Sequence, residues 1–320
     1  MVKLLEIKEK LKNFYAEREL FMRPIIKFIM VFALLVTIRS FMGIDNIVSA
    51  WIIVLALSVI FAFLPWSLIV AGVLAVIVLD VFSLSLELAA LILILILIMS
   101  ILFFRFAPEQ GTLLIVIPLA FILKVPFLIP IVAGLLFAPT AVISVSFGTL
   151  IFYILDIISK NEEAILNISA GDTTKSGDFT IVSMVMENSE MFLIMASFVV
   201  TVLVVYFIRR LQVNNSWVIA IVTGGILNFV IMLVGTLVLN IEYSTVWLII
   251  GTVLSMILAY ILQLFVFSVD YTRTEHTQFE DDEYYYYVKA VPKINVTAPE
   301  MNVNRINARR KKKGMPKRNK

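Results

Sequence analysis

Between Ile25 and Ser268 the chain is almost continuous hydrocarbon, in apolar runs of about 18 to 25 residues, the length of helix that crosses the ~30 Å core of a bilayer. With 61% hydrophobic residues and a mean hydropathy of +1.00, a water-soluble fold would leave more apolar surface than 320 residues can hide. Lipid is therefore the expected solvent. The expected fold class is all-α, a polytopic transmembrane helical bundle.

The remaining composition works by exclusion. There is no cysteine, so disulfides, iron–sulfur ligation and a cysteine nucleophile are ruled out. The single histidine, His276, lies in a polar tail, which leaves no histidine metal site and no Ser-His-Asp relay within the apolar region. No Gly-x-x-x-x-Gly-Lys loop is present to cradle a nucleotide phosphate. No cofactor and no metal are expected.

Residues 1–24 read as an amphipathic interfacial helix. Leu4, Ile7, Leu11, Phe14 and Phe21 recur at helical spacing, with Lys3, Lys8, Lys10 and Lys12 on other faces, and Pro24 is expected to open the first crossing. A cleavable signal peptide fits less well, because no small-x-small site follows Ile29. The transmembrane domain then occupies residues 25–268. Four apolar segments at about 25–43, 47–64, 66–82 and 86–104 are joined by very short connections, which make antiparallel neighbours of them. Three more fall at about 191–208, 216–239 and 244–268, beyond an outer loop at 159–190.

Lysine and arginine gather before Pro24, at Arg209 and Arg210, and after Arg305, which sets both termini in the cytoplasm and requires an even number of crossings. Counting from both ends, an odd number must lie between Arg105 and Ser159. That stretch contains two apolar pieces, 112–123 and 127–138, each roughly 18 Å long as helix and too short to span alone. Lys124, Val125 and Pro126 separate them, and Pro118, Pro130 and Pro139 interrupt the helical ladder. A re-entrant hairpin followed by one crossing at 140–158 satisfies the parity, giving eight spans plus the hairpin. Two short crossings satisfy it equally, giving ten.

Lys124 is the basic residue set deepest in apolar sequence. It either snorkels to headgroups or marks a pathway, and if buried it needs an anion from Asp80, Glu87, Glu109 or Asp156. Broken, proline-rich segments are also how transporters expose backbone to a solute, so Lys124, Pro126 and Pro130 are the candidate substrate pathway. Spans 2, 7 and 8 carry no acidic residue well inside, which argues against a carboxylate relay. Gly224, Gly225 and Gly251 read as ordinary close-packing positions.

After Ser268 the composition changes, and residues 269–320 form a cytoplasmic tail, first acidic and tyrosine-rich, then basic. Tyr284 to Tyr287 and the valines after them have strand propensity, and an isolated strand needs a partner edge. Phe279, Glu280, Asp281, Asp282, Tyr284 and Tyr286 are therefore the candidate surface for a cytosolic or membrane protein partner, against the alternative of a disordered tail. Arg309, Arg310, Lys311, Lys312 and Lys313 are candidate contacts for anionic lipid; specific nucleic-acid recognition is not expected.

The stretches Phe14–Arg18 and Arg23–Phe28, the segment Val125–Phe137 and the tail from Phe279 to Lys293 together resemble a family of uncharacterised polytopic membrane proteins of Gram-positive anaerobes, labelled membrane protein or permease. The resemblance implies location and topology and carries over no functional residue. Unlike ATP-driven importer permeases, the Arg105 and Arg209 loops lack a Glu-Ala-Ala coupling helix with its following glycine. Three functions are open: a membrane component of an envelope or transport assembly whose tail recruits a partner, a permease using the broken hairpin at 112–138, and an intramembrane enzyme. The chain is not expected to be an enzyme, since no two catalytic side chains are placed to work together in the spans.

Overall fold

In the computed structural model the described residues are 10, 14–42, 51–161, 181–213, 215–266, 275–280 and 283–290. The chain divides into two compact units, a helical body of residues 15–267 and a smaller unit to which the tail strands belong.

The body consists of α1 (Glu19–Met42), α2 (Trp51–Ala62), α3 (Trp66–Leu84), α4 (Leu86–Phe106), α5 (Gly111–Ile122), α6 (Leu128–Leu136), α7 (Ala141–Lys160), α8 (Ile181–Glu187), α9 (Ser189–Arg209), α10 (Ser216–Val238) and α11 (Thr245–Val266). Among the described residues, seven of these helices are long and apolar enough to cross a membrane. The eighth expected crossing, 47–64, is represented by α2, whose twelve described residues reach only about 18 Å. α1 begins earlier than expected. It runs through Pro24, with the preceding helical stretch broken at Arg18 and an ion pair between Glu19 and Arg23 in the turn just before the proline. Of the N-terminal segment, Lys10 and residues 14–17 are helical, Arg18 is a turn, residues 19–24 belong to α1, and residues 1–9 and 11–13 lie outside the described residues.

Polarity in the body is inverted relative to a soluble protein. Ile52 is 84% exposed and Ile101 70%, whereas Ser144, Thr149, Ser197, Thr201, Asn228 and Ser255 are completely buried. Apolar residues cover the outside because lipid solvates them, and small polar residues sit where helices meet. Ser197 Oγ donates to Asn228 Oδ1 at 2.5 Å, joining α9 to α10. Close approach is also secured by adjacent glycines facing opposite ways: a Cβ on Gly224 would run into Val205 of α9, and one on Gly225 into Met256 of α11.

The broken hairpin is present as α5 and α6, and its halves part company. α5 packs on α7 and α1, while α6 lies among α9, α10 and α11. The hairpin thus ties an N-terminal group of helices to a C-terminal one. Its two feet lie at one end of the body, where Gln110 Nε2 donates to Thr140 Oγ1 at 2.8 Å and Ser144 Oγ donates to Gln110 Oε1 at 3.3 Å. The same end holds Arg209, whose guanidinium donates to the carbonyls of Leu135 and Phe137. There too Ser67 Oγ donates to the Pro108 carbonyl at 3.1 Å, and Lys27 Nζ reaches the Leu64 carbonyl at 2.7 Å while lying over the Trp66 ring. Lys27, Arg105, Arg209 and Arg210 therefore share one end, and the hairpin tip with Lys124 points to the other.

In the smaller unit, β1 (Glu275–Glu280) pairs antiparallel with β2 (Tyr285–Ala290), Glu280 opposite Tyr285 and Phe279 opposite Tyr286. The edge that the tyrosine strand needs is supplied by the segment just before it, Glu275–Glu280. The Tyr284 and Tyr286 rings lie tilted against each other at 6.3 Å between centroids, and both are exposed.

Candidate functional site

The turn at the hairpin tip follows from how α5 ends. The Val125 N–H donates to the Ala120 carbonyl at 2.9 Å and the Lys124 N–H to the Phe121 carbonyl at 3.0 Å, the paired bonds of a Schellman cap. The residue at the cap's left-handed position is normally glycine, and here it is Lys124, with φ of 57°. Pro126 then prevents the helix from continuing. α10 ends in the same manner, with Asn240 at φ of 51° and the Ile241 N–H on the Thr236 carbonyl at 3.0 Å.

The Lys124 cap faces the start of α9 and the residues leading into α11 across a cleft of about 370 Å³. Phe121, Lys124, Pro126 and Phe127 contribute the hairpin side, and Glu190, Glu242, Tyr243 and Trp247 the side opposite. Because α5 and α6 are shorter than the helices flanking them, their tip forms a recessed floor. Aromatic packing fixes its height: Phe121 stacks on Phe152 at 4.3 Å and meets Tyr153 edge-on at 5.9 Å, and Phe127 meets Phe198 edge-on at 6.3 Å.

Lys124 and Glu190 are each held by an aromatic residue. The Lys124 ammonium lies 5.3 Å from the centroid of the Trp247 ring, a cation–π contact. Glu190, in the first turn of α9 where the helix dipole favours a negative charge, accepts a hydrogen bond from the Tyr153 hydroxyl at 2.9 Å. Asn188 caps that helix by accepting from the Met191 N–H at 2.9 Å. Burial pushes the Tyr243 phenol up from its ordinary pKa, and the negative charge of Glu190 adds to this, so Tyr243 stays neutral and remains a donor.

Of the three pathway candidates, Lys124 and Pro126 line the cleft, whereas Pro130 is buried within α6 and serves packing. The carboxylates near Lys124 are not the four expected from sequence. Asp80 is buried in α3, Asp156 is paired with Lys160 at 2.6 Å, Glu109 lies at the arginine-rich end, and the Glu87 side chain is outside the described residues. Glu190 and Glu242 take their place. Each sits at the border of an apolar run, where a charge reads as ordinary interfacial hydration, so nothing local in the sequence singles it out. In the tail, Phe279 and Glu280 lie on β1, Tyr286 on β2 and Tyr284 just before it, while Asp281, Asp282 and the basic residues Arg309 to Lys313 are outside the described residues.

A second cavity, of about 200 Å³, is lined by apolar side chains such as Leu88, Ile92, Ile154 and Met186 between α4, α7 and α8. It offers no polar group for chemistry.

The helical body, its lipid-facing apolar exterior and its buried polar seams define a polytopic α-helical membrane protein. No family model matches the chain, and no match is found among curated proteins or solved structures.

Proposed function

We propose that this protein is a permease-class membrane protein that binds a small polar solute or headgroup in the cleft above the hairpin tip. The observation that carries the reading is the convergence of Lys124, Glu190, Glu242 and Trp247 on one recess floored by a broken helix pair. Helix breaks at membrane depth free backbone groups and helix ends for a ligand, and are tolerated where they line a cavity. The grouping of Lys27, Arg105, Arg209 and Arg210 at the opposite end supports an orientation with that end in the cytoplasm and the cleft facing outward. A bacterial plasma membrane, cytoplasmic termini and kinship with the permease-labelled family belong to the same proposal. Reconstituted vesicles test it. Flux of at least one solute should depend on the protein and change in Lys124→Ala or Pro126→Ala; leakage that is the same with and without protein across a broad solute panel rejects it.

A second reading, membership of an envelope or transport assembly, draws on the tail. The β1–β2 ribbon is a two-stranded sheet, a structure marginal by itself, and a further strand from a partner would extend it. Removal of residues 270–320 should then abolish co-purification of a defined partner while leaving the helical body folded. If no protein co-purifies with the intact chain, this reading fails.

A further inference from the structure

We infer that the cleft takes a zwitterion, a molecule carrying an ammonium group and an acid group a few bonds apart, either as a free solute or as a lipid headgroup. This rests on the reading of the cleft as a binding site and goes on to name its ligand chemistry. The cleft displays both signs of charge without joining them: among the described residues, Lys124 is ion-paired with neither Glu190 nor Glu242 and instead lies over Trp247. Opposite charges sharing a recess normally pair unless geometry holds them apart. Here the cap at the end of α5 fixes the backbone of Lys124 in the left-handed region, and the Tyr153 hydroxyl holds Glu190. A simple anion entering would meet two carboxylates, and a simple cation would meet Lys124; each is disfavoured by the like charge. A ligand bearing both charges turns each of these penalties into a charge-assisted contact, its acid group toward Lys124 and its ammonium toward the glutamates and the Trp247 face. The neutral Tyr243 adds a donor, and about 370 Å³ lies within the range of small-molecule sites.

The test uses the full chain in nanodiscs of phosphatidylglycerol alone, so that no bilayer lipid is itself zwitterionic. Calorimetric titrations employ four probes: L-alanine as a free zwitterion, glycerophosphoethanolamine as a headgroup, and the single-charge molecules ethylamine and propionate. Saturable binding of either zwitterion is expected, with ethylamine and propionate at least roughly tenfold weaker, and a loss of similar size in both Lys124→Gly and Glu242→Gln. Lys124→Gly suits the turn better than lysine does, and Glu242→Gln keeps the loop's shape, so neither loss would report misfolding. Binding of alanine alone assigns a free solute, and of glycerophosphoethanolamine alone a headgroup. If ethylamine or propionate binds as tightly as the zwitterions, or if both variants bind like the parent, the zwitterion assignment is overturned while the binding cleft stands. If none of the four binds and the vesicles also show no flux, the cleft reading falls with it.

Discussion

The guanidinium of Arg209 donates to the carbonyl of Phe137 at 3.1 Å, and its other terminal nitrogen donates to that of Leu135, so the last residue of α9 caps the end of α6. From sequence, Arg209 is a topological charge at a span border. In the folded body it also satisfies carbonyls that α6 leaves without intrahelical partners, and places a positive charge at that helix's negative end. Arg209→Met should therefore cost about 1.5 to 3 kcal/mol, the range for hydrogen bonds to a charged group, and Arg209→Lys about half of that, since a lysine cannot span both carbonyls. Denaturation of the detergent-solubilised protein checks this, and equal midpoints for all three proteins would refute it.

At the hairpin tip the prediction separates charge from backbone. Lys124→Gly and Lys124→Ala both remove the ammonium and its contact with Trp247, but only alanine retains a Cβ in the left-handed region. The glycine variant should be the more stable of the two by about 1 kcal/mol. Both should lose ligand binding alike. An alanine variant as stable as the glycine one would mean that the turn does not hold Lys124 in that conformation.

Gly224 and Val205 form a coupled pair. A Cβ on Gly224 would strike the Val205 side chain across the α9–α10 crossing, so Gly224→Ala should destabilise by about 1 to 3 kcal/mol through overpacking. Val205→Ala in the same chain makes room, and the double variant should recover part of the loss. A thermodynamic cycle measures the coupling, and strictly additive effects would contradict the contact.

Orientation can be read directly because the chain has no cysteine of its own. With single cysteines introduced as Glu242→Cys and Arg210→Cys, a membrane-impermeant maleimide applied to sealed cells should label the first and spare the second until the membrane is opened. Labelling of both, or of Arg210→Cys alone, would reverse or remove the assigned orientation.

The sequence alone determined the all-α membrane class, the borders of most long helices and the broken hairpin, because each depends on local quantities: apolar run length, short connections, and proline where a helix must stop. It also pointed to Lys124 and Pro126, since a charge and a proline stand out against hydrocarbon. Pro24 misled it, because a proline this close to a helix start removes little of the hydrogen-bond ladder, and α1 begins one turn before it at Glu19. Only the tertiary structure decided what surrounds Lys124. Glu190, Glu242 and Trp247 lie some 65 to 125 positions further along the chain and meet it because α5 and α6 pack into different helix groups, leaving their tip recessed between the starts of α9 and α11. Hydropathy is a property of a segment, whereas the pairing of one segment's end with another's depends on side-chain packing between distant helices, which no local pattern encodes.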